Sequence, residues 1–137
     1  MTLHRAVRFY LHLKAMKIKR ILQLEELLLF ILAIWAYQYL PYAWYWFLIM
    51  LLVPDVSLMG YLGGNDLGKN LYNLFHNRFL VVLIGLLGWK LDNSMLQFWA
   101  VVFFAHIALD RALGMGLKLN GGVHYTHMGP IGKKRND

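Results

Sequence analysis

No cysteine occurs in the chain. A disulfide scaffold, a thiolate metal site and a cysteine nucleophile are therefore excluded. Only 3 prolines are present, which does not fit a low-complexity disordered chain. Charge is scarce too: 15% of residues are charged, against about 25% in soluble domains. Acid is the scarcest, with 7 Asp and Glu against 14 Lys and Arg. The G-x-x-x-x-G-K-[ST] nucleotide loop and the G-x-S-x-G nucleophile elbow are both missing. What is abundant is apolar: 59% of the 137 residues, against about 45–50% in soluble domains. The length fits one domain at most, and the composition fits a protein whose solvent is largely lipid.

A helix that crosses a bilayer core about 30 Å thick needs roughly 20 mostly apolar residues. Four stretches qualify, at 22–40, 42–62, 71–89 and 95–117. Backbone groups in lipid must be satisfied internally, so the expected fold is all-α: a four-helix transmembrane bundle over 22–118. The run at 22–40 is too long, and starts too far into the chain, for a signal peptide. Pro41 marks a short turn that makes the first two helices antiparallel neighbours. Residues 63–70 read as a glycine-rich loop, and Asp92-Asn93-Ser94 as a tight turn. Within residues 1–21, Arg5, Arg8, His12 and Lys19 share a helical face opposite Leu3, Val7, Tyr10, Leu11 and Ile18. That is the pattern of a basic amphipathic helix lying on a membrane surface. Residues 119–137 form a tail rich in His and basic residues.

Charge placement gives a direction. Arg5, Arg8, Lys14, Lys17, Lys19 and Arg20 precede the first span, and Lys69 and Arg78 flank the second loop. Arg111, Lys118, Lys133, Lys134 and Arg135 follow on the same side, leaving only Lys90 on the other. The positive-inside rule then predicts a multi-pass protein of the inner (plasma) membrane with both termini cytoplasmic. The expected partners are membrane lipids, with anionic headgroups at the N-terminal helix and no nucleic acid. The chain leaves room for a homo-oligomer.

Ionisable groups inside a membrane are costly, so each is a functional candidate. Counted from the outer helix ends at 1.5 Å per residue, Asp55, Glu26 and His76 lie about 20 Å deep, with His106 and Asp110 close to that level. His106 and Asp110 are i,i+4 and share a face, as do Asn73 and His76 at i,i+3. Pro54 breaks the helical ladder just before Asp55. His124 and His127 lie in a tail short enough to fold back over this layer.

Imidazoles and carboxylates together suit a divalent metal: zinc, manganese or iron. His76, His106, Asp110 and His127 are the candidate ligands. Asp55, Glu25 and Asn73 are the candidate catalytic or water-orienting groups, and Arg78 and Arg111 suit an anionic head group. Such an ion can activate water at neutral pH. Two other readings stand beside it. The polar layer can be a structural network that fixes helix register in a membrane scaffold or subunit, with Arg78 and Arg111 neutralising the carboxylates. Alternatively, His76 and His106 can ligate a haem between them.

At these positions the chain resembles the small bacterial integral membrane family called domain of unknown function 4260. The matching pieces are Pro54-Asp55-Val56-Ser57-Leu58-Met59-Gly60-Tyr61, Tyr72-Asn73 with His76, His106-Ile107, Asp110-Arg111, Gly114, Gly116-Leu117-Lys118 and Thr126-His127-Met128-Gly129. Glu25 matches the acidic residue that opens the family's first helix. Met115 and Met128 stand where the family usually has Tyr and Leu, and neither is a ligand type. The resemblance implies a membrane protein with this polar set and no established activity. A looser likeness to membrane-bound metal-dependent hydrolases, which combine Pro-Asp, His and Thr-His motifs, points toward hydrolysis by analogy.

Overall fold

The computed structural model describes residues 3–131. Nothing in 3–37 interrupts a helix, because the segment holds neither proline nor glycine. α1 accordingly runs unbroken from Leu3 to Tyr37. Its 35 residues reach about 52 Å at 1.5 Å per residue. The basic N-terminal segment is thus the continuation of the first apolar helix rather than a separate one.

After the turn at Pro41, α2 spans Trp44–Met50. Pro54 has no N–H to donate, and the chain tightens into a 3-10 helix over Val53–Gly63. Gly64 then turns sharply at φ +116, and α3 runs over Asn65–Phe75. Most of the stretch expected as a loop is therefore helical. Its glycines serve packing: a Cβ on Gly60 would sit 2.8 Å from Leu71 Cδ1 and 3.2 Å from Gly68 Cα. The 3-10 helix and α3 lie that close.

The third apolar stretch is likewise two helices. The chain leaves helical geometry at His76 and Asn77, and the Asn77 side chain caps α4, Arg78–Lys90, by accepting from the Leu80 N–H at 3.3 Å. Asn93 caps α5, Ser94–Ala112, in the same way through Leu96. α5 stops short of the expected residue 117 because Gly114 takes φ +87 and turns the chain. The tail then forms a short antiparallel hairpin of β1, Tyr125–Thr126, and β2, Gly129–Pro130.

The stretches Trp44–Gly63, Asn65–Lys90 and Ser94–Ala112 are each long and apolar enough to cross a membrane. With α1 they make a four-part, all-helical bundle. α5 is its centre. Ala100, Ala105 and Ala108 give it a slim profile, so α1 and α4 both pack along it. One core joins Ala33, Tyr37, Phe47, Phe98, Val102 and Ala105; a second joins Val81, Ala100 and Ile107. The outward faces carry exposed Leu83, Leu86, Ile49 and Leu28, as a lipid-facing surface requires.

Candidate metal centre

Two helix breaks and one helix end supply the site. Asp55 sits in the first turn of the 3-10 helix, His76 ends α3, and His106 and Asp110 occupy successive turns of α5. One ligand atom from each of these four lies within 4.8 Å of every other. Nε2 of His76 and Nε2 of His106 are 3.0 Å apart, and each is 3.4 Å from Asp110 Oδ2. Asp55 Oδ1 lies 3.4 Å from His106 Nε2 and 3.9 Å from His76 Nε2. His76, His106 and Asp110 are buried, whereas the Asp55 side chain is 43% exposed and forms the open side.

The other ring nitrogens are fixed by the main chain. His76 Nδ1 lies 2.9 Å from the Tyr72 carbonyl, and His106 Nδ1 lies 2.6 Å from the Leu51 carbonyl. Carbonyls only accept, so each Nδ1 carries the hydrogen and each neutral ring presents a bare lone pair at Nε2. The Leu51 carbonyl is free for a local reason. In 3-10 geometry its partner would be the N–H of residue 54, and proline has none. The Asp55 N–H bonds Leu52 instead, at 3.2 Å.

Tyr72 completes the surroundings. Its hydroxyl donates to Asp110 Oδ2 at 3.2 Å, and its ring stacks on His76 at 3.7 Å. Tyr72 and His76 are i,i+4 on α3, and that same-face spacing is the sequence signal for Tyr72 at the centre. Lys118 is buried, its ammonium lies 4.7 Å from the Tyr72 ring centre, and it donates to the Val123 carbonyl at 2.7 Å. Burial pushes its pKa down, with Asp110 and Asp55 pulling the other way.

The remaining candidates lie around this centre. Asn73 accepts from the Lys118 N–H at 2.6 Å and donates to the Lys118 carbonyl at 2.9 Å, so it holds the tail. His127 is exposed and accepts from the Leu117 N–H at 2.9 Å; it stands apart from the four. Arg78 donates to Glu26, and Arg111 lies 3.9 Å from the same carboxylate. Glu25, its neighbour, is exposed and outside both groups.

Asp55, His76, His106 and Asp110 can hold a metal ion. Haem fits less well. The two imidazoles meet directly, and the crevice beside them, lined by Tyr72, His76, Asp110, Arg111 and Gly116, measures about 10 Å³. No porphyrin passes between rings so placed. No curated protein and no solved structure matches the chain. A family model described as Domain of unknown function (DUF4260) matches residues 19–131, which include every residue of this centre. The chain belongs to that family.

Proposed function

We propose that the protein is a membrane-embedded, metal-dependent hydrolase acting on a lipid or other amphiphile. The observation that carries this reading is the pair of Nε2 atoms 3.0 Å apart beside two carboxylates. Such a group repels itself unless a cation lies within it. A shared proton would satisfy the two nitrogens and leave a net negative charge among buried groups. A divalent ion would balance both carboxylates and take donors from His76, His106 and Asp110, leaving a fourth position open beside Asp55.

Tetrahedral zinc, with bonds of about 2.0–2.1 Å, sets its ligands about 3.3 Å apart. The separations among His76, His106 and Asp110, from 3.0 to 3.4 Å, straddle that value. Zinc is therefore the first candidate, followed by manganese and iron. The ion supplies Lewis acidity and lowers the pKa of water toward neutrality. His76, His106 and Asp110 hold it, while the Leu51 and Tyr72 carbonyls and the Tyr72 hydroxyl orient them. Asp55, on the open side, takes the proton from the attacking water and returns it to the leaving group. The bond broken is an ester or phosphoester of an amphiphile that reaches the centre from the membrane.

In this reading the protein sits in the inner membrane with both termini cytoplasmic, which is supported by Lys90 standing alone against the basic residues of the opposite side. Reporter fusions after residue 137 and within 92–94 test this; periplasmic activity at 137 would reject it. For the chemistry, protein stripped by a chelator is reloaded with zinc, manganese or iron and offered phospholipids and other esters. Hydrolysis that returns with metal and is lost in Asp55→Asn supports the reading. Turnover that is unchanged by chelation, or by Asp55→Asn, contradicts it.

A further inference from the structure

Next to the centre, on the far side of Arg111, lies a second and larger concavity. It measures about 600 Å³ and is formed by the middle of α1, the end of α5 and the tail. Lys19, Arg111 and His127 line it, with Ile18, Leu22 and Met128 as its apolar wall. Arg111 belongs to both spaces, since it also lines the crevice against His76 and Asp110.

Among the described residues, charge in this groove is unbalanced. Its carboxylate, Glu26, is already engaged by Arg78, and Arg111 reaches it only at 3.9 Å. One carboxylate shared between two guanidinium groups leaves one positive charge over. Lys19 adds another. It reaches the end of α5, where a Cβ on Gly114 would lie 3.8 Å from its Nζ. The guanidinium fork of arginine matches phosphate oxygens, and a lysine ammonium adds a point charge.

Height matters as much as charge. The apolar run of α1 begins at Leu22, one turn beyond Lys19 and Ile18. The groove therefore sits where headgroups end and hydrocarbon begins. A phosphate at that level would meet its cations, and the carbon chain attached to it would meet its apolar wall.

We propose that this groove binds the phosphate of an anionic membrane lipid, with Arg111 and Lys19 as its ligands. This deepens the hydrolase reading and rests on it only for the step from ligand to substrate: the amphiphile acted on carries a phosphate.

The test is binding without turnover. The full chain in a neutral detergent is titrated with short-chain phosphatidylglycerol, with phosphatidylcholine of equal chain length, and with inorganic phosphate. Saturable binding of phosphatidylglycerol is expected, at least about tenfold tighter than of phosphatidylcholine. Removing one charged hydrogen-bond donor typically weakens binding by about tenfold or more. Lys19→Gln and Arg111→Gln should each do so, while Lys90→Gln, exposed in the last turn of α4 and outside the groove, should not. Lys19 is exposed, so Lys19→Gln keeps the test valid even where Arg111→Gln disturbs the fold. Equal affinity for phosphatidylcholine, or unchanged affinity in folded Lys19→Gln, overturns the proposal. Inorganic phosphate binding as tightly as the lipid overturns the lipid assignment. Lost lipid binding with metal retained would leave the metal centre standing, and the reverse result would leave the groove standing.

Discussion

His106 Nδ1 lies 2.6 Å from the carbonyl of Leu51, 55 residues earlier in the chain. That single contact fixes the ring's tautomer and turns its Nε2 toward His76 and Asp110. It exists because Pro54 leaves the Leu51 carbonyl without its local donor.

Replacing Pro54 by Ala should therefore loosen the centre without removing any ligand. A restored N–H at position 54 would compete with His106 for the Leu51 carbonyl. Loss of an orienting partner of this kind costs about 10–100-fold in metal affinity. Competition with a chelator of known affinity measures it. An affinity equal to that of the wild type would mean that the carbonyl does not position His106.

Asn73 makes a different prediction. Both of its side-chain hydrogen bonds go to the Lys118 backbone, at 2.6 and 2.9 Å. Asn73→Ala should release the tail, at a cost of about 1–3 kcal/mol for the groups left unpaired. Faster amide exchange at Leu117 and Lys118, with metal content unchanged, is the expected result. Lost metal with normal exchange would make Asn73 part of the centre itself.

The acidic pair on α1 separates two neighbours. Glu26 faces Arg78 and Arg111, whereas Glu25 is exposed. Breaking a buried pair by removing one partner costs about 3–5 kcal/mol, and Glu26, whose side chain is 14% exposed, lies near that case. Glu26→Gln should lower the melting temperature clearly. Glu25→Gln should fall within about 0.5 kcal/mol of the wild type, as exposed sites do. Equal effects, or the reverse order, would contradict the pairing.

These contrasts show where sequence was legible and where it was not. Helical periodicity and the cost of charge in lipid point to Asp55, His76, His106 and Asp110, because each falls within a largely apolar stretch at a similar depth. Breaks were harder to read. Asn77 is an ordinary capping residue, but in an apolar run it looks like a tolerated interruption, so the third span reads as one helix where the structure has two. Glycines misled at 60–68, where they allow close packing against helix backbone as well as turns. Tertiary partners are legible only in kind: Arg78 and Arg111 are expected to neutralise carboxylates, but no spacing names Glu26 as their partner or shows that Lys118 folds over Tyr72.

The most direct measurement of the central claim is metal stoichiometry by mass spectrometry on protein purified without chelator or histidine tag. Melting temperatures are read alongside for wild type, His106→Ala and Asp110→Ala. Membrane helices associate mainly through close packing, and one interhelical polar contact adds only about 0.6–2 kcal/mol, whereas metal affinity depends on every ligand. The account predicts about one divalent ion per chain in the wild type, and variants that lose the ion but still fold. Metal-free wild type with strongly destabilised variants would contradict it and leave a structural polar network in its place.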